Sequence, residues 1–308
     1  MDDQRPVPLL QSLACARALA AMGAACDLRP LPFGGRALAL TRRWPLLGAL
    51  TLVSRGPVWA GTGSASWPRA LRNALPGALV LNAGTGCDDR LCEAGFFPLL
   101  TPVSVAVIDL APDRATRRAR LHSKWRNRLA RAEEAPLRVT RSTLPADPGH
   151  WLLRQEARQQ KHRGYRGLPP AFSAAFAATN PRQAQLFTAS DRDGTPVAAM
   201  LFLRHGRMAS YQIGWSGEAG RRHHAHRLLL WRAMDWLAEQ GHSQLDLGAL
   251  NAQDAPGLAR FKLGTGATCR PLGGTWIAHP TLAPLARRLP RRAGPPGAAS
   301  HVHKALTR

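Results

Sequence analysis

The run "HRLLLWRAMDWLAEQGHSQLDLGALNAQDAPGLARFKLG", residues 226–264, changes its hydrophobic period twice. Its first half is a strong helix pattern that stops at Gly241, a residue suited to the left-handed turn after a helix. "SQLDLGAL" then reads as a strand and "APGLARFKL" as a short helix. An earlier run, "WPRALRNALPGALVLNAGTGCDDRLCEAGFFPL" (67–99), follows the same order: a helix with Pro in its first turn, a buried strand, and a helix stopped by Gly95. With the strands on either side, the order strand, helix, strand, short helix, strand occurs twice. Almost no identity links the copies, so the order itself indicates an internal duplication. The expected fold is α/β, with two tandem lobes of roughly 130 residues, each a mixed central sheet flanked by helices.

Working outward, "LLQSLACARALAAMGAACDL" predicts a first helix and "RALALTRRWPLLGALTLVSRGPVW" two strands around a Trp-Pro turn. "VSVAVIDL" is a further strand. A long helix is expected from Asp113, its N-cap, to about Glu134, with Leu121, Trp125, Leu129 and Ala132 as its apolar stripe. In the second half, "HWLLRQEARQQKHRGY" and "FSAAFAATN" read as helices. Residues 183–216 read as three strands with turns at Asp193-Gly194 and Gly206. The predicted partition is a first lobe (1–112), a basic connecting helix (113–145), a second lobe carrying the site (146–280) and a basic Pro/Gly-rich tail (281–308).

The 308 residues suffice for one large or two medium cores, and 45% are apolar, as in ordinary globular chains. The net charge of +23 attracts anions: nucleic acid, acidic lipid, or phosphorylated donors. The bias toward Ala, Arg, Leu, Pro and Gly suggests a GC-rich coding sequence, which would supply part of the arginine. Five cysteines without a C-x-x-C argue against a disulfide framework or zinc ribbon, and a reducing cytoplasm is expected. The N-terminus does not read as a signal peptide, and the sequence predicts no membrane span. His223, His224 and His226 lie close together without an acidic or Cys partner nearby in sequence, so they read as a polar loop and no metal is expected.

Among 42 Lys plus Arg, only Lys124, Lys161, Lys262 and Lys304 are lysines. Lys262 follows Phe261 just before a glycine-rich turn. Asp246 ends a buried-type strand, where α/β sheets face their ligand crevice, and is a candidate base or orienting group. The turn containing Arg221 and Arg222 feeds a helix N-terminus, whose unpaired N–H groups suit a phosphorylated donor. Lys124, Trp125 and Arg126 stand out within the basic helix. The phosphate loop, the nucleophile elbow and H-E-x-x-H are missing.

Several of these marks, in order and over about 270 residues, resemble the Fem-type (FemAB-like) branch of the GNAT acyltransferase superfamily, which includes the peptidoglycan-bridge aminoacyltransferases. They are "LLQSLACARALAAMG", "SRGPVW", "GFFPLLTPVSVAVIDL" before "LHSKWRNRLARAEE", "DRDGTPVAAMLFL", "YQIGWS", "LDLG" and "GLARFKLGTGA". The resemblance implies a pair of GNAT-like lobes and transfer of an acyl group from a thioester or aminoacyl ester to an amine. It puts Phe261 and Lys262 at the family's Phe-Lys pair, beside the reacting carbonyl. A fixed ammonium there would stabilise the oxyanion that amine attack develops.

The family's CoA-using members carry a glycine-bearing pyrophosphate loop where this chain reads "RRHHAHR". The expected co-substrate is acyl-CoA, with aminoacyl-tRNA as the alternative donor and a peptidoglycan precursor as its acceptor. Donor or acceptor contacts are expected from Phe261, Arg221, Arg222, Lys124, Trp125 and Arg126. The other class of reading is a non-catalytic basic module that binds RNA or an acidic membrane. A pair of lobes in one chain makes a monomer adequate.

Overall fold

The computed structural model describes residues 5–45, 48–59, 61, 65–75, 77–86, 88–165 and 167–289. Lys304 and most of the basic C-terminal stretch lie outside them, as does Cys87. The chain forms two compact units that interleave along the sequence. One gathers Leu10–Val105, Ala249–Pro256 and the chain from Cys269 onward; the other gathers Ala106–Gly248, Gly257–Thr268 and the segment up to Leu9.

In chain order the first elements are α1 (Leu13–Ala21), β1 (Cys26–Leu31), β2 (Gly35–Trp44), β3 (Gly48–Gly56), β4 (Val58–Trp59), α2 (Trp67–Ala74), β5 (Ala78–Ala83), α3 (Asp88–Glu93) and β6 (Phe96–Leu100). There follow β7 (Ser104–Asp109), α4 (Arg114–Ala119), α5 (Ser123–Glu134), β8 (Arg138–Thr143), α6 (Trp151–Arg163), α7 (Pro170–Thr179), β9 (Ala184–Ser190), β10 (Pro196–His205) and β11 (Met208–Ser216). The remainder are α8 (Glu218–Arg222), α9 (Ala225–Glu239), β12 (Gln244–Leu250), α10 (Pro256–Leu263), β13 (Thr268–Pro271), β14 (Thr275–Ala278) and α11 (Ala283–Arg287).

Among the described residues the strands make two seven-stranded mixed sheets. The first runs β1-β2-β3-β5-β14-β6, with β4 on β2; the second runs β8-β9-β10-β11-β12-β7-β13. The duplication expected from element order is visible in this topology. In each sheet a helix carries the chain from one strand to a parallel neighbour: α2 from β3 to β5, and α9 from β11 to β12. In each sheet, too, one strand is inserted out of order, β14 between β5 and β6 and β7 between β12 and β13. Residue burial explains the place of β14. Trp276 and Ala278 join Leu81, Phe96, Leu71 and Val53 in the core of the first unit, and the Trp276 indole N–H donates to Gly273 O at 2.7 Å.

The long helix expected from Asp113 to Glu134 is in fact two helices. Asp113 caps the first, accepting from Thr116 N–H at 2.9 Å. At His122 the backbone turns extended and its N–H donates to Gly264 O at 3.0 Å, so the chain leaves the helical ladder for a tertiary partner. The strands that sequence patterning missed, β1, β6, β8 and β13, are the four outer strands of the two sheets. Outer strands carry polar or Pro-containing sequence because one edge faces away from the sheet. Cys15, Cys26, Cys92 and Cys269 are free thiols.

Trp276→Ala removes a buried indole from the inserted strand. The expected cost is about 3–5 kcal/mol, read as a lower denaturant midpoint in an unfolding titration.

Candidate active site

The two parallel strand pairs differ in one respect that locates the site. β3 and β5 stay paired over six rungs, from Leu50/Ala78 to Gly56/Ala83. β11 and β12 pair only at Met208/Gln244, Ala209/Leu245 and Ser210/Asp246, although both strands run on, to Ser216 and Leu250. The second unit therefore holds a forked pair of strands, with Asp246 on the last shared rung.

Local chemistry accounts for the fork on both arms. On β12, an Asp246 carboxylate oxygen accepts from Gly248 N–H at 2.7 Å, which withdraws that donor from any ladder. Gly248 itself has φ +79, a left-handed conformation that side chains disfavour. On β11, Gln212 is an extra residue: Leu201 pairs with Ile213 and Phe202 with Tyr211, so the strand bulges just past the last shared rung.

Lys262 enters the fork from α10. It is 5% exposed, and its Nζ would lie 3.7 Å from a Cβ at Gly248. Burial lowers its pKa to about 8, against a smaller raising effect of Asp246. Asp246 is likewise buried. The two residues singled out as catalytic candidates from sequence thus face one point in the structure.

Phe261, the next residue on α10, packs on Trp125, with ring centroids 6.2 Å apart. The Trp125 indole N–H donates to Phe261 O at 3.1 Å. Trp125 is buried, so it supports Phe261 from behind, whereas Lys124 and Arg126 beside it are exposed. The glycines of "GTG" serve this packing. A Cβ on Gly264 would lie 2.7 Å from the Trp125 ring, and one on Gly266, where φ is +79, 2.8 Å from Arg120 O.

A cationic cluster adjoins Phe261. Arg227 lies over both the Trp125 and Phe261 rings, at 5.9 and 5.7 Å. Its Nε is buried without a hydrogen-bond partner among the described residues, and burial, then Arg128, lower its pKa to about 10. The His224 pKa is lowered by burial and then by Arg227, Arg128, Arg131 and His223. His224 stands at the N-cap of α9 in the left-handed region, with no side-chain capping bond. His226 Nε2 lies 2.8 Å from Trp215 O, and burial lowers its pKa. Arg221 and Arg222 are exposed on α8, where Arg221 donates to Ser216 O at 2.7 Å. Sequence reading passed over Arg128, Arg131 and Arg227, because one arginine among so many carries no signal until the fold gathers several. Among the described residues no group of His, Cys, Asp and Glu is placed to hold a metal.

The Acetyltransferase (GNAT) domain family matches residues 117–263, which contain the fork, α9 and Lys262. FemX shares the fold over 89% of this chain and 93% of its own, with a TM-score of 0.70 at 15% identity. The C-terminal domain of a putative lysylphosphatidylglycerol synthetase from Agrobacterium fabrum follows at 0.53 and 15% identity, covering 90% of each chain. The Bacillus licheniformis L-PGS has a TM-score of 0.52 at 14% identity, covering 89% of this chain and 92% of its own. No curated protein matches the chain. The fold is thus a pair of tandem GNAT-like lobes, and the stretch 117–263 is similar to an acetyltransferase domain. No helix among the described residues is long and apolar enough to cross a membrane.

Gly264→Ala drives a methyl into the Trp125 ring and the Arg260 carbonyl. It is expected to cost about 1–3 kcal/mol, measured by denaturant unfolding, with the Trp125 fluorescence environment altered in the native state.

Proposed function

We propose that the second unit transfers an acyl group from acyl-CoA to an amine at the β11/β12 fork. The observation that carries this reading is Lys262: a buried cation beside Asp246, at the place where the parallel strands β11 and β12 part. Attack of a neutral amine on a thioester carbonyl puts negative charge on the carbonyl oxygen. A fixed ammonium in a site shielded from water stabilises that charge far more than a solvated one. The C–N bond forms as the C–S bond breaks; the amine loses one proton and the departing thiolate takes one up. A compact ammonium meets one oxygen better than a planar guanidinium, which fits a lysine here in an arginine-rich chain.

Asp246 is assigned to keep Lys262 charged and in place. It is buried and already accepts from Gly248 N–H, so it suits a counter-ion better than a base that must meet an incoming amine. Phe261 would line the donor's path, held by Trp125. Donor phosphates would meet Arg128, Arg131, Arg227 and the uncapped start of α9, with Arg221 and Arg222 nearby in sequence. Lys124 and Arg126 would extend that basic surface from the exposed side of α5.

A second reading, aminoacyl-tRNA as donor, is favoured by one feature. The phosphate-facing groups are arginines and histidines of two helices, in place of a glycine loop shaped for one pyrophosphate, and a polyanion is held chiefly by such charges. The acceptor in that case is a peptidoglycan precursor, in keeping with the likeness to FemX.

Lys262→Ala is expected to lower kcat by about 10²–10³-fold while leaving donor affinity and the melting temperature near wild type. Retained turnover would remove catalysis from this site and leave a basic binding module. The pH profile gives a second check. Lys262 must be protonated, so activity falls as pH rises through about 8. Lys262→Arg, slower overall, should lose that descending limb, because guanidinium stays charged. The donor is read by thermal shift with acetyl-CoA beside aminoacyl-tRNA binding at two salt concentrations. A ligand at 100 times its Kd adds about 2.7 kcal/mol of stability, and no stabilisation by any CoA thioester would exclude acyl-CoA.

A further inference from the structure

Glu156 is a buried carboxylate whose hydrogen-bonding neighbours among the described residues are all neutral. It lies on α6, 6% exposed. Its Oε1 accepts from the Tyr165 hydroxyl at 2.8 Å and from Gln160 Nε2 at 2.9 Å; its Oε2 accepts from Gln159 Nε2 at 3.3 Å. Other carboxylates of the same unit have cationic company. Asp246 lies beside Lys262, Asp235 is bridged by Arg114 and Arg117, and Glu133 is bridged by Arg118. A carboxylate can accept about four hydrogen bonds, and among the described residues Oε2 holds a single long one. Burying such a charge is costly unless a partner compensates it.

The place of Glu156 ties it to the fork. Gln159 Nε2 also donates to Gly214 O at 3.2 Å, and Gly214 belongs to the arm of β11 that has left β12. Tyr211, beside the bulge on that arm, has its pKa raised by burial and then by the Glu156 charge. Gln160 Nε2 reaches Leu168 O at 3.3 Å, so one side chain fixes both the carboxylate and the loop after α6. Tyr165, on that loop, is 41% exposed, so the cluster reaches the surface there.

We propose that Glu156, held by Gln159, Gln160 and Tyr165, is the subsite that takes the ammonium group of a primary-amine acceptor. This rests on the reading of the fork as a site of acyl transfer to an amine. The amine arrives protonated at neutral pH, since an alkyl ammonium of the lysine kind has a pKa of about 10.4. In a chain of net charge +23 an ammonium needs a local carboxylate to be held at all. Glu156 presents one, oriented among the described residues by neutral donors, with Arg163 acting electrostatically on the neighbouring Tyr165 and Tyr211.

The test is a binding titration of the full chain with Nα-acetyl-lysine amide, with the Nε-acetylated form as neutral control, followed by NMR shift changes. Wild type and Lys262→Ala are expected to bind the amine probe equally and the neutral control much more weakly. Glu156→Gln is expected to weaken amine binding roughly ten-fold or more, whereas Tyr165→Phe, which keeps the charge, weakens it only a few-fold. Unchanged affinity in Glu156→Gln, equal binding of the neutral control, or no binding of the amine by wild type overturns the proposal. If Glu156→Gln does not fold by circular dichroism, Glu156→Asp is read instead, and undiminished affinity there overturns the proposal. Because the readout is binding, retained turnover in Lys262→Ala would count against acyl transfer at the fork and leave this result standing.

Discussion

A lysine ammonium buried against a strand end makes demands on everything around it. Water is displaced from Lys262, and Asp246 only partly offsets the loss, so its pKa falls to about 8. The charge is kept there by packing. α10 must lie against the fork, and it does so because Phe261 rests on Trp125, whose indole N–H holds the Phe261 carbonyl. Trp125 can approach only because residue 264 has no side chain, and α5 can begin where it does only because His122 gives its N–H to Gly264 O. The glycine-rich turn after Lys262 is therefore a packing device. It sets the lysine's position without touching the space in which the carbonyl would sit.

The second constraint is the comparison between the two sheets. Both carry a parallel pair connected by a helix, yet one pair is closed over six rungs and the other opens after three. A left-handed glycine and an Asx turn on β12, together with a bulge on β11, suffice to part the strands. Those features put a carboxylate, a cation and strand backbone around one gap. They also expose the arm of β11 to α6, where Gln159 and Glu156 meet it. The structural asymmetry between the duplicated lobes thus comes from a few backbone departures at one rung.

Charge is distributed to the same end. The positive groups near the gap come from α5 and from the start of α9, and their mutual repulsion with burial lowers the pKa values of Arg227 and His224. Such a gathering of cationic groups favours an anionic ligand. The arginines paired with Asp235 and Glu133 do structural work instead, tying α4 to α9 and α5.

Much of this was legible in the chain itself. Helical and strand periodicity located α2, α9, β5 and β12, because each buries a continuous apolar face whose spacing is local. The duplication was legible for the same reason, and Lys262 and Asp246 stood out by residue type and place. What local pattern could not convey is anything decided by a distant partner. The outer strands read as polar or carry proline, as strands with one unpaired edge can. The break at His122 depends on a carbonyl 142 positions later. Nothing in the local pattern marks Glu156, on which three neutral side chains close in the fold. The placing of β14 beside β5, and of β7 beside β12, likewise follows from which core had room for Trp276 or for the apolar run of β7. The sequence by itself determined the elements and the chemistry available to them. Only the tertiary structure decided which strands part and which charges face the gap, since both depend on contacts between residues far apart in the chain.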